Sequence, residues 1–238
     1  MTDAHCHVRT GEGRHFVCRE PEESAADCVL GRDVLFRGIH PWQVLTVADP
    51  DRFRAERLLP FVAEMRLMFA AKAADCPRGI GEIGLDRLKE RTISPLMRET
   101  FEVQLALAAE VQCPVVLHGA KCWGEVVKAC QPLADRIPAF LFHGFSRSGG
   151  LISDIVKLNG FISIGPAVLN DHAVNYRELV KAIPLDRLLV ETDATAANAA
   201  DVPSVETIAA KVAALRGIPV PDLARQLEAN AAAFLQQR

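Results

Sequence analysis

The chain begins with Asp3-Ala4-His5-Cys6-His7, and the spacing of that histidine pair constrains the fold more than any other feature. Residues two apart on a strand face the same side, so one extended segment carries both imidazoles to one point. Four more residues of ligand type, Glu82, His118, His143 and Asp193, follow at long intervals, each closing a short apolar run that reads as a strand. Donors at the ends of separate strands meet only where those ends share a rim, which a closed barrel provides.

Eight apolar runs read as strands, over 2–7, 15–18, 34–39, 78–83, 114–118, 139–143, 161–164 and 187–191. Their mostly continuous apolar character suits strands buried on both faces. Helical patterns separate most of them. One covers 49–74, with Asp49 as N-cap, Pro50 after it and Pro60 dividing it. A long helix starts near Ser94 and buries Phe101, Leu105 and Ala109, and another carries Trp123, Val126, Val127, Cys130 and Leu133. Two more, near 203–216 and 221–236, close the chain. The stretch 8–14, with Gly11 and Gly13, leaves no room for a helix, whereas 20–30 reads as an acidic, partly helical connector. In 78–83 the two glycines permit close approach by backbone or ligand. These elements predict an α/β chain, a (β/α)8 TIM barrel with its first βα helix reduced or missing, with residues 1–238 forming one domain. An open doubly wound sheet is the alternative, disfavoured because candidate functional residues follow six different strands.

The 238 residues are 50% hydrophobic and 24% charged, ordinary for a globular chain, and the net charge of −3 argues against a broadly basic nucleic-acid surface. The 7 cysteines show no CxxC spacing, so reduced thiols in a cytoplasmic protein are expected. No apolar run reaches the ~18 residues of a membrane span, and a monomer or weak dimer is expected.

His5, His7, Glu82, His118, His143 and Asp193 mix imidazole with carboxylate, which suits Zn, Mn, Fe or Co, with Mg a weaker fit. Six donors exceed the need of one tetrahedral ion that keeps a water. They suit two divalent ions ~3.5–4 Å apart bridged by a carboxylate such as Glu82, with a hydroxide between them and Asp193 as general base. Taken singly, each residue also suits a blander role: a core histidine at 118 or 143, a turn carboxylate at Glu82, a helix cap at Asp193. His40, before Pro41 and Trp42, is placed to contact substrate or water near the ions. Glu191 is placed either to hold a ligand imidazole or to form a salt bridge under the rim.

The motifs Asp-Ala-His-Cys-His at 3–7, Gly-Ile-His-Pro-Trp at 38–42, Gly-Glu-Ile-Gly-Leu-Asp at 81–86, Pro-Val-Val-Leu-His at 114–118, Phe-His-Gly-Phe-Ser at 142–146, Ser-Ile-Gly at 163–165 and Glu-Thr-Asp at 191–193 resemble the TatD family of metal-dependent hydrolases, in the family's order. The stretch 230–234 fits as well. The resemblance implies an amidohydrolase-like TIM barrel with two divalent metals that acts on phosphoester bonds, often as a 3′-5′ deoxyribonuclease. By position, His5 and His7 would hold one ion, Glu82 would bridge, His118 and His143 would hold the second, and Asp193 would be ligand and proton acceptor. Glu82, Asp193 and His40 would thus carry catalysis, with His40 lining the substrate side. The chain departs from the family in its short first loop, a shortening that resembles a smaller, divergent branch. It also has His118-Gly119-Ala120-Lys121 where the family has His-Ser-Arg, and small residues after Asp193 where the family has Pro. Lys121 keeps the charge of the Arg it replaces but not its bidentate fork.

Three functions follow as expectations. The first is a phosphoesterase acting on DNA, supported by Arg87, Lys89, Arg91, Lys121 and Arg147 on predicted rim loops, with Lys121 and Arg147 as substrate contacts. The second is hydrolysis of a small phosphoester, ester, lactone or amide, favoured by few aromatic residues for stacking (1 Tyr, 2 Trp). The third is a metal-binding barrel without turnover.

Overall fold

The computed structural model describes residues 1–29, 31–72, 76–146 and 149–236. Its eight strands are parallel and neighbour one another in chain order: β1 (Thr2–Cys6), β2 (Arg14–Arg19), β3 (Val34–Arg37), β4 (Gly79–Asp86), β5 (Val115–Ala120), β6 (Phe140–Phe142), β7 (Gly160–Ile164) and β8 (Leu188–Val190). This is the (β/α)8 TIM barrel, nearly closed. Between β8 and β1 there is no regular ladder. The seam is stitched instead by Asp193 N–H to the His5 carbonyl (3.1 Å), His7 N–H to the Ala194 carbonyl (2.7 Å), and Thr192, whose N–H and hydroxyl both donate to the Asp3 carboxylate.

The helical layer is incomplete on one side. The short link from β1 to β2 carries no helix, as its glycines predict. The connector after β2, expected to be partly helical, forms only turns over its described residues. Its backbone carbonyls at Glu20, Pro21 and Glu23 all accept from one nitrogen of Arg37, so that guanidinium organises the loop where a helix would have used its own N–H groups. The next helical segment divides as Pro60 predicts. α1 (Pro50–Phe53) passes through a π-type turn over Arg54–Leu58 into α2 (Leu59–Ala71), because Pro60 lacks an N–H and blocks the preceding turn. α3 (Pro95–Val111), α4 (Trp123–Cys130), α5 (Ile152–Lys157), α6 (Val174–Ala182), α7 (Val205–Arg216) and α8 (Val220–Phe234) complete the outer layer.

Inside the barrel, Phe16, Phe36 and Phe161 surround Phe234, which α8 inserts from the N-terminal end of the strands, with ring centroids 5.7, 6.0 and 5.8 Å from it. Asn230 anchors that helix, its amide donating to the carbonyls of Leu185 and Leu188. With this end plugged by apolar packing, only the C-terminal rim is left for polar side chains. The glycines of β4 serve backbone and core rather than a ligand: a Cβ on Gly79 would lie 2.2 Å from the Pro114 carbonyl oxygen. Gly84, at φ 156°, pairs with His118, and a Cβ there would lie 2.0 Å from that residue's carbonyl oxygen.

Two glycine substitutions should therefore diverge in urea unfolding. Gly84→Ala should destabilise by about 2 kcal/mol or more, since both strain and overlap oppose it. Gly124→Ala, on exposed α4 with nothing within 4 Å, should stabilise by roughly 0.5–1 kcal/mol. Equal effects would contradict this packing.

Candidate metal centre

Glu82 sits mid-way along β4, a strand with every residue buried, where the ladder to β5 slips register between Ile80 and Ile83. A second slip, between Asp3 and Cys6, falls beside His5 in β1. Such irregularities re-aim side chains at a rim, and here both break the alternation that would otherwise alternate these side chains between faces. His7 lies just past the end of β1, His143 just past β6, and Asp193 three residues past β8, while His118 is inside β5.

The imidazoles converge on the two oxygens of one carboxylate. Glu82 Oε2 lies 3.3 Å from His5 Nε2 and 3.0 Å from His7 Nε2. Oε1 lies 2.7 Å from His118 Nδ1, 2.7 Å from His143 Nε2 and 3.3 Å from His40 Nε2. Asp193 Oδ1 stands 3.5 Å from His5 Nε2. Among the described residues, the donor sets close enough to share an ion are His5, His7 and Asp193; His5, Glu82 and His143; and His40, Glu82 and His118.

These residues fit a cation better than they fit one another. Three imidazole nitrogens crowd Oε1, and His118 Nδ1 is itself only 3.4 Å from both His40 Nε2 and His143 Nε2. Both ring nitrogens of fully buried His5, and Nδ1 of His143, have no hydrogen-bond partner. Native interiors leave few such atoms unpaired, and nitrogen and carboxylate donors in this mixture suit Zn, Mn, Fe or Co.

The supporting contacts run outward from the imidazoles. His118 Nε2 is 2.9 Å from Asp86 Oδ2, which also accepts the Trp42 indole N–H at 2.7 Å, while Asp86 Oδ1 accepts the N–H groups of Leu88 and Lys89. His143 Nδ1 faces Glu191 Oε1 at 3.4 Å, and Glu191 Oε2 takes the hydroxyl of Ser163. Asp193 has φ 51°, an uncommon conformation that Asp tolerates better than most residues, and its half-buried carboxylate faces the cavity.

Burial alone would raise the Glu82 carboxyl, but His143, His40, His5 and the His118 hydrogen bond hold it well below the usual carboxylate range. Burial likewise opposes charge on the His143 imidazole, yet Glu82 and Glu191 lift it to about 10. For His118 the lift from Asp86 and Glu82 also prevails over burial, whereas burial prevails at His40 and lowers it. Burial would raise Asp193 too, but His5 and His143 draw it down. The site thus attracts positive charge, and protons and metal ions compete for the same nitrogens.

Above the cluster opens a cavity of about 590 Å³, lined by His7, His40, Glu82, His118, His143 and Asp193 together with Trp42, Glu20 and Glu23. The structure brings together all six expected donors and sets His40 among them, closer than a substrate-side position requires. Lys121 follows β5 at φ 57° and is exposed, outside the cavity lining. Arg147 lies outside the described residues. Sequence reasoning missed three features: Asp86 as the partner of His118, the carboxylates of Glu20 and Glu23 in the cavity wall, and Trp42 as an aromatic surface at its mouth. The Asp ending the Gly-Glu-Ile-Gly-Leu-Asp motif could have flagged the first, since ligand imidazoles commonly pair with a carboxylate.

The model of the TatD related DNase family matches residues 30–236, and the chain belongs to that family. The match begins after β2, so the first histidine pair lies outside it. A Bacillus subtilis protein described as an uncharacterized metal-dependent hydrolase, YabD, is 34% identical over 114 residues, 48% of this chain and 45% of that protein. The 3′-5′ ssDNA/RNA exonuclease TatD of Klebsiella pneumoniae is 36% identical over 116 residues, 48% of this chain and 44% of that protein. The chain thus matches about half the length of these curated relatives. Among solved structures, the Escherichia coli TatD homologue YJJV superposes with a TM-score of 0.76 at 21% identity, covering 98% of this chain and 96% of that one, a likeness of fold.

The seam makes a prediction of its own. Burial pushes the Asp3 carboxyl up to about 6, against the two bonds from Thr192. The unfolded chain gives up this proton near 4, the native form only near 6, so the contribution of this group to stability is full at low pH and is lost as pH rises between them. In EDTA, the stability of Asp3→Asn relative to the parent should rise by about 3 kcal/mol from pH 4 to pH 7, by urea unfolding. Parallel profiles would contradict it.

Proposed function

We propose that this protein is a metal-dependent phosphoesterase acting on DNA, of 3′-5′ exonuclease type, with two divalent cations. The observation that carries the reading is the division of donors between the two oxygens of Glu82: His5 and His7, with Asp193 beside them, on one side, and His118 and His143, with His40 beside them, on the other. His5, His7, Glu82 and Asp193 would hold one cation, and Glu82, His118 and His143 the other. Cations held there would supply Lewis-acid polarisation of the phosphoryl group and make a water more acidic. Asp193 accepts the proton of the attacking water: its neighbours keep it ionised, so an oxygen is available, and its carboxylate faces the cavity. Asp86 and Glu191 hold His118 and His143 in orientation. The name of the Klebsiella pneumoniae relative supports the choice of nucleic acid as substrate.

A second reading, a hydrolase of a small ester, lactone or amide, is favoured by one feature. Glu20 and Glu23 line the cavity, and such acidic groups disfavour a strand of phosphates, most strongly above pH 8, since burial pushes the Glu20 carboxyl up to about 8.

Mn2+ should raise the melting temperature of the parent protein, each occupied site adding about 2.7 kcal/mol of stability at 100 times its Kd, and Glu82→Gln should abolish that rise. On an end-labelled oligonucleotide the parent should shorten the 3′ end, more slowly as salt increases. Asp193→Asn should lower kcat by about 10²–10⁴ with Mn2+ still bound. Metal bound with DNA untouched, but a lactone or aryl ester hydrolysed, would favour the second reading.

A further inference from the structure

Trp42 is one of few large apolar side chains left exposed, with 44% of its surface accessible, and it stands at the mouth of the cavity. It is not loose. Its indole N–H is fixed on Asp86, the same carboxylate oxygen that faces His118 Nε2, and its ring meets the imidazoles of His40 and His118 edge to face at 5.0 and 6.2 Å. The ammonium of Lys89 hovers 4.1 Å from the ring centre. Lys89 is exposed and has no carboxylate partner among the described residues, so its charge is free to meet an anion. An aromatic ring held in place, a cation resting on it without a carboxylate partner among the described residues, and the donor cluster are thus neighbours at the cavity mouth.

We infer that Trp42 is the surface on which the nucleobase of the substrate's terminal nucleotide stacks, the base taking the place over the ring that the Lys89 ammonium holds in this structure, and Lys89 turning outward to take up the phosphate attached to that nucleotide. This rests on the phosphoesterase reading and adds to it a specificity-determining residue. A nucleotide joins a flat π-system to an anion, the two features that the indole and the Lys89 ammonium recognise. Stacking on an aromatic side chain tolerates any base, because every base offers a π-face.

Trp42 is one of 2 tryptophans and Trp123 is buried, so fluorescence reports on stacking without any need for turnover. The parent protein, loaded with Ca2+ to suppress hydrolysis, is titrated with deoxyadenosine monophosphate and with 2-deoxyribose 5-phosphate, and affinity is read in parallel by calorimetry. The inference predicts quenching by the nucleotide alone, and a Kd roughly 10-fold or more below that of the sugar phosphate. Trp42→Leu should erase that preference, Trp42→Phe should retain most of it, and Lys89→Ala should weaken both ligands alike. Equal affinities for the two ligands, or an unchanged preference in Trp42→Leu, would overturn it. An oligonucleotide assay on the same preparation separates the two claims: nucleotide preference without DNA cleavage would fault the nuclease reading and leave the stacking surface standing, while cleavage without the preference would do the reverse.

Discussion

The structure depends on one buried carboxylate. Glu82 is fully enclosed in β4, where an unpaired charge would be prohibitively costly, and five imidazoles meet it from β1, the loops after β1, β3 and β6, and β5. They arrive from four strands, β1, β3, β5 and β6, and the loops that follow them, so the barrel has to close for the charge to be compensated. Conversely, neutralising Glu82 alone would leave several buried nitrogens facing one another at about 3.4 Å. Fold and centre are thus coupled: the rim exists because the strand ends meet, and the strand ends carry groups that tolerate meeting only around positive charge.

The same coupling is visible at the seam. Among the described residues no ladder joins β1 and β8; Asp3, His5, His7 and Val8 meet Thr192, Asp193 and Ala194 instead. One of the three donor sets, His5 with His7 and Asp193, is built across that gap. Asp3 therefore acts as a structural tie directly beneath the site. After β1 and β2 the outer helices are absent among the described residues, and the loop after β2 folds over the rim to become a wall of the cavity. The shortened first half of the chain leaves the donors in place while exchanging a helical layer for a loop whose Glu20 and Glu23 line the cavity.

The eight strands were legible because each is an apolar run of the right length, and the six donors because each closes or interrupts such a run. The helix expected within 20–30 failed for a reason that no local pattern carries. Arg37, more than a dozen residues away, binds the carbonyls that a helix would have kept for itself. His40 was placed correctly at a strand end, but its 3.3 Å approach to Glu82 depends on Pro41 turning the chain. Asp86 and Trp42 find each other across 44 residues of sequence, and a count of aromatic residues cannot show that one of them stands at the cavity mouth. Lys121 shows the converse, since its charge and position in a motif did not place it in the cavity lining.

The central claim is that the two oxygens of Glu82 serve two different cations. Anomalous diffraction from crystals grown with Mn2+, measured above the Mn absorption edge, tests it directly. Two maxima flanking the carboxylate, one among His5, His7 and Asp193 and the other against His118 and His143, are the predicted result. A single maximum, or maxima that leave Glu82 uncoordinated, would contradict the account.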